Sequence, residues 1–202
     1  DSKPLTAEQV KETINTVILQ LGFVCTHTIV AGGTQGCDPH NEGHGPLLAH
    51  QPIILDVFPR SQRNGYWGDI TRTVVRGRAN EKIRALYRCV AEAQALALKQ
   101  ARPGTSTQRL HQSVRNFFDS KGFPTGTQRG QMQGFFHGVG HGVGLEIHEP
   151  PHIGSRTDSI LRAGHVVTIE PGLYYPKVGG VRIEDVVLLG ENGATVLSKA
   201  KK

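Results

Sequence analysis

Four carboxylates lie where burial would be costly. Asp56 sits in IILDVF, Glu170 in VVTIEP and Glu184 in VRIEDVVLL, each with apolar, strand-forming neighbours, and Asp69 precedes a similar run in GDITRT. Three histidines, His137, His141 and His148, are strung along GFFHGVGHGVGLEIHE (134–149). Asp and Glu are seldom buried unless they are paired or bind a metal. Any one of them could be neutralised by Arg72 or Arg182, or face water at a sheet edge. Three in apolar strands, with Asp69 near by and a glycine-rich histidine segment, point instead to a metal site. Two neighbouring divalent cations need several anionic oxygens, some of them shared. Carboxylates with one imidazole suit Mn²⁺, with Co²⁺ or Zn²⁺ as alternatives. Such a pair acidifies a bound water and polarises a carbonyl, so the chemistry expected is hydrolysis.

The histidine segment does not fit two commoner patterns. His137 and His141 are four apart, as in a helical zinc motif, but the Glu that should follow the first His is absent, and Gly-Val-Gly between them disfavours a helix. GVGHGVG also fails the dinucleotide spacing at Val143 and Leu145. The glycines are expected to let backbone approach a substrate closely. His27, His111 and His165 read as structural or solvent-facing, and His44, His50 and His152 are assigned the same way.

Other segments must position these groups. Thr6-Ala-Glu-Gln9 is a capping box, and Val10, Ile14, Val17, Ile18 and Leu21 then recur at helical spacing until Gly22. Residues 23–31 read as one strand and 37–50 as a loop. Pro52–Phe58 and Ile70–Val75 read as two strands joined by the turn-rich PRSQRNG. A second helix starts at Asn80, with Ile83, Leu86, Tyr87 and Val90 on one face, and runs to Pro103-Gly104. A third, capped by Thr105 or Ser106, buries Leu110, Val114, Phe117 and Phe118 and ends at Lys121-Gly122. From Gly134 the chain reads as mostly extended, with Asn192-Gly193 as a closing hairpin turn. Helices and strands are segregated, which favours α+β, and their order hints at two halves of similar design.

Composition excludes several classes. With 202 residues, 37% of them hydrophobic, the chain can bury a full core. Its apolar runs are far too short to span a membrane as a helix. The net charge of +6 is scattered apart from the KAKK tail, so no nucleic-acid partner is expected. Three cysteines without CxxC spacing argue against a disulfide framework and for a reducing, cytoplasmic setting. The start at Asp1 reads as that of a fragment or processed chain.

At this point the sequence resembles a known family, the metallopeptidases with the pita-bread fold, among them methionine aminopeptidase, prolidase and Xaa-Pro aminopeptidase. The matching pieces are DPHNEG (38–43), ILD (54–56) with GYWGDITRT (65–73), HGVGHGVGLEIHEPP (137–151), VVTIEPGLYYP (166–176) and GGVRIEDVVLL (179–189), in the family's order along nearly the whole chain. EPGLYYP followed by GGVRIED looks like the Xaa-Pro branch. The resemblance implies five metal ligands: Asp69 and Glu184 bridging two ions, Asp56 completing one, His141 and Glu170 completing the other. It implies Glu170 as general base for a bridging water, His40, His137 and His148 as substrate-contacting groups that help stabilise the tetrahedral intermediate, and Arg182 as a supporting residue near the substrate and the bridging Glu. The substrate implied is a peptide with proline second, cut after its first residue, and a homodimer is allowed. Residues 1–202 would form the catalytic domain, lacking the family's helical start and any separate N-terminal domain. The segment between Asp56 and Asp69 is longer than usual there, and Phe58-Pro59 replaces a small residue. Two other readings compete: a pita-bread domain without peptidase activity that binds peptides or proteins, and a metal-independent hydrolase of small amidino compounds. Both normally lack the full ligand set.

Overall fold

Thr6 opens the first helix through both halves of its capping box with Gln9. The structure, a computed structural model, describes residues 4–202. Helix α1 (Ala7–Gln20) leads into β1 (Phe23–Val24), β2 (Ile29–Gly32), β3 (Pro52–Val57), β4 (Arg60–Ser61) and β5 (Ile70–Val75). Helices α2 (Glu81–Gln100) and α3 (Thr107–Ser120) follow, capped by the side chains of Asn80 and Ser106. The remainder is β6 (Gly126–Gln128), β7 (Gln131–Gln133), β8 (Gly140–Gly142), β9 (Glu149–Ile153), β10 (Val166–Ile169), β11 (Gly172–Tyr175), β12 (Gly179–Arg182), β13 (Asp185–Gly190) and β14 (Gly193–Val196).

Two antiparallel sheets carry the architecture. One has the order β2-β3-β5, and the other the order β14-β13-β10-β8-β9. Short connections and β-branched residues allow hairpin pairing of neighbours, such as β13 with β14. In the main core, Leu86, Val90, Ala93 and Ala97 of α2 and Leu110, Val114 and Phe118 of α3 pack on Val167, Ile169, Val187 and Leu189 of the larger sheet. Among the described residues no helix is long and apolar enough to cross a membrane.

The structure departs from the sequence reading in five places. Residues 23–31 form two strands, because Thr28 turns back to bond Asn15 and Cys25, so that β1 pairs with β4 and β2 with β3. The PRSQRNG turn therefore contains a strand, β4. The hairpin β6–β7 was not anticipated. The last hairpin turns at Glu191-Asn192, one residue earlier than expected, since Gly190 pairs with Gly193. The stripe on α1 is also incompletely covered: Val17 is 49% and Leu21 69% exposed.

Core and surface positions should respond very differently. Phe118→Ala removes a fully buried ring and is expected to cost about 3–5 kcal/mol. Leu19→Ala, at an exposed position of α1, should change stability by less than about 0.5 kcal/mol. Chemical denaturation of the two variants checks both.

Candidate metal centre

Strand alternation brings Asp56 to the inside of the smaller sheet, where it pairs in register with Thr71 of β5. Asp69 stands one residue before β5. His141 is the middle residue of β8, Glu170 follows β10 directly, and Glu184 occupies the step between β12 and β13. Both sheets thus contribute to one cavity of about 840 Å³. Its wall includes all nine residues singled out from the sequence: Asp56, Asp69, His141, Glu170 and Glu184, together with His40, His137, His148 and Arg182.

Ligand-type atoms of Asp69, His141 and Glu184 lie within 4.8 Å of one another. His141 Nδ1 is 3.0 Å from the Gly142 carbonyl, which can only accept, so Nδ1 carries the proton. Its Nε2 lone pair therefore faces Asp69 Oδ2 at 3.7 Å and Glu170 Oε1 at 3.4 Å. Such a cluster of unshared electron pairs repels itself unless protons or cations enter. The acids respond accordingly. Desolvation, reinforced by neighbouring carboxylates, holds Asp69 and Glu184 well above the usual carboxylate range. Burial pushes Glu170 up to about 7. Desolvation pulls His141 down to about 4, leaving it neutral. Asp56 Oδ1 is buried and has no partner among the described residues. Acceptor-rich, partly orphaned and oxygen-dominated, this donor set fits hard or borderline divalent cations.

Arg182 ties the wall together. Its Nη2 donates to Asp56 Oδ2 at 2.6 Å, Nε to Thr71 Oγ1 at 3.3 Å and Nη1 to the Tyr174 hydroxyl at 3.0 Å. Thr71 Oγ1 in turn donates to Glu184 Oε2 at 2.6 Å. Sequence reasoning missed Tyr174, although it lies in the quoted motif VVTIEPGLYYP. His137 Nδ1 donates to Gly138 O at 2.7 Å, which leaves Nε2 to accept from the Tyr174 hydroxyl at 2.8 Å. Desolvation and the Arg182 charge push His137 down to about 3, so this neutral tautomer persists. Both ring nitrogens are spent, and a substrate group reaching Nε2 must displace Tyr174. His111 is buried and holds the His137 carbonyl at 3.2 Å, a structural role. His152 is exposed, as expected, and pairs in register with His141 at the cavity, which His111 also lines.

The glycines of the histidine segment permit close approach of backbone, and Gly138 and Gly140 line the cavity. A Cβ on Gly140 would lie 1.9 Å from the Thr168 carbonyl, and one on Gly142 2.5 Å from the Glu149 and Pro150 carbonyls. This close approach to the protein's own adjacent strands lets β8 thread between β10 and β9.

Metallopeptidase family M24 matches residues 3–191, and the chain belongs to that family. It is 41% identical over 175 residues to an Xaa-Pro dipeptidase of Pyrococcus furiosus, a match covering 87% of this chain and 48% of that protein. The prolidase structure from Pyrococcus horikoshii OT3 superposes with a TM-score of 0.90 at 35% identity, covering all of this chain (100%) and 56% of the other. An X-Pro aminopeptidase from Thermotoga maritima MSB8 gives 0.89 at 31%, with 100% and 55% covered. The fold is the α+β pita-bread fold. The chain spans about half the length of the curated relatives it matches. Family membership implies a divalent-metal site, and the donor set described above fits one.

Two outcomes follow for the protein without metal. Glu170, Asp69 and Glu184 have raised values when folded, so the stability they contribute is present at low pH and lost as pH rises through those values. His137 and His141 oppose this only below their ordinary 6.5. Stability of the metal-free chain should therefore fall as pH rises above about 6.5 and through the Glu170 value of about 7, and saturating Mn²⁺ should abolish the fall in urea titrations. Tyr174→Phe should fold but lose about 1–3 kcal/mol by the same measurement, because His137 Nε2 is left unpaired.

Proposed function

We propose that this chain is the catalytic part of a dinuclear metallopeptidase that cuts after the first residue of peptides carrying proline second. The observation that carries this reading is the convergence of Asp69, His141 and Glu184, with the unprotonated Nε2 of His141 facing carboxylate oxygens. The ligands are Asp56, Asp69, His141, Glu170 and Glu184, and Mn²⁺ is the ion of choice, with Co²⁺ or Zn²⁺ as substitutes. When bound, two such ions neutralise the clustered carboxylates, polarise the scissile carbonyl and acidify the attacking water.

The chain's own groups supply the rest. Glu170, raised by burial to about 7 and so able to exchange a proton near neutrality, takes a proton from the attacking water in its carboxylate form and hands it to the leaving amine. His148 and His40 lie on the open side of the cavity, free to donate to the oxygen on which negative charge develops. His137, braced by Tyr174 and His111, shapes the wall beside them. Arg182 anchors Asp56 and Thr71 and so fixes the ligand strands, in the manner of outer residues that orient metal ligands. Phe58, Phe135 and Phe136 give the cavity an apolar side suited to a proline ring. The Xaa-Pro preference is supported by the activities for which the relatives are named. Three cysteines free of disulfides fit a cytoplasmic setting, and self-association as a dimer is part of the same reading.

Asp69→Ala or Glu184→Ala is expected to remove metal binding and peptide hydrolysis together. Elemental analysis, with Mn²⁺-dependent release of the first residue from Xaa-Pro and Xaa-Pro-Xaa peptides, checks this. Undiminished hydrolysis by thoroughly chelated protein would sink the proposal.

A further inference from the structure

A second polar cluster lies behind the carboxylates, and none of its members lines the cavity. The β10–β13 ladder ends at the pair Ile169–Asp185. The same two chains pair again from Gly172–Arg182, where β11 meets β12, with Ile183 N donating to Pro171 O at 3.4 Å just before it, and Glu170 and Glu184 sit in the interrupted step between the two ladders. Here Gln94 of α2, fully buried, inserts its amide nitrogen. Nε2 lies 3.1 Å from Ile169 O, 3.3 Å from Ile183 O and 3.1 Å from Asp185 Oδ2. Ile169 and Ile183 are the residues immediately before the two glutamates. Three acceptors around one end identify it as the nitrogen. Gln94 Oε1 has no partner among the described residues. An aliphatic side chain would fill this space without stranding an acceptor, so the amide's role lies on its nitrogen side.

Asp185 extends the cluster. It is fully buried, with Oδ1 accepting from Arg72 Nη2 at 2.7 Å and Oδ2 from Gln94 and Lys202. Every N–H of Arg72 is spent: Nε on Lys201 O, Nη1 on the carbonyls of Thr71 and Glu184, Nη2 on Asp185 and Ala200 O. Glu184 is thus held at its own carbonyl, at its amide by Thr71 O at 3.1 Å, at its carboxylate by Thr71 Oγ1 and through both neighbours.

We propose that Gln94, with Asp185 and Arg72, is a positioning device that sets the separation of Glu170 from Glu184 where the ladder no longer can. The inference rests on the ligand assignment proposed above. Gln94 does not touch the metals or the peptide. It supplies hydrogen bonds to both chains at the interrupted step between the two ladders, so its loss loosens that step while β10–β13 and β11–β12 stay paired.

The test is calorimetric titration of Mn²⁺ into the metal-free full chain, with thermal unfolding recorded in parallel. The variant is Gln94→Met, of similar volume but without a donor, and the control is Val90→Ala on the buried face of the same helix. Wild type should bind two Mn²⁺, and Gln94→Met should weaken at least one of them by roughly 10–100-fold. Val90→Ala should lose stability yet bind as wild type does. Should Gln94→Met fail to fold, Arg72→Lys, which keeps the charge but not the five-donor fork, is expected to give the same loss. Wild-type affinity in both positioning variants overturns the inference, as does a loss no greater than that in Val90→Ala. Wild type that binds no pair of ions overturns the ligand assignment itself, and this inference with it.

Discussion

Repulsion among like groups is the constraint on which the rest of the structure depends. Asp69, Glu170 and Glu184 are crowded into a desolvated wall with a neutral imidazole whose lone pair faces them. Left to themselves, these groups would separate or take up protons. Arg182 is the buried cation that meets them, and its ion pair goes to Asp56, not to the other three. The fold must therefore press the cluster together from behind, with backbone and neutral hydrogen bonds, and leave its charge to be met from the cavity.

That pressure explains otherwise unrelated details. Thr71 and Thr73 of β5 spend their hydroxyls across the sheets, one on the Glu184 carboxylate and the other on Arg182 O. Thr168 Oγ1 accepts from the His141 amide at 3.1 Å and lies 3.4 Å from Glu170 Oε1, so one hydroxyl serves two proposed ligands. Glycines at 140 and 142 bring β8 close enough to its neighbours to hold His141 in this company. A looser scaffold would relax by widening the cluster, and the raised acid values would disappear with it.

Much of this was legible in the sequence, and what was not shares one cause. The helices followed from caps and apolar spacing, and Asp56, Glu170 and Glu184 were conspicuous because a charge within an apolar run is locally anomalous. What escaped depended on partners distant in the chain. Nothing near Cys25–Thr28 announces that β1 will pair with β4, and the glycines of GVGHGVG show only that something comes close, not that it is the protein's own β10 and β9. Tyr174 looked like one more aromatic in a strand. Gln94 did leave a trace, since it sits four residues after Val90 on a stripe otherwise made of Ile, Leu, Cys, Val and Ala. An amide on such a stripe signals a bond to backbone elsewhere, but not to which backbone.

The cavity wall is shared between two sheets. Asp56 and Asp69 come with the first, His141 and Glu170 with the second, and Thr71 and Glu184, which are joined by a hydrogen bond, are 113 residues apart. Under the ligand assignment proposed above, a cation seated among them would work as a cross-link between the halves, in the manner of a staple that forms only when both are in place. A half-folded chain offers it nothing comparable to grip. Occupancy and the union of the halves then become one equilibrium, in which free metal at a hundred times its dissociation constant adds about 2.7 kcal/mol to the folded state. Under the proposed ligand assignment, scarcity of divalent ions would therefore lower the folded population of this chain.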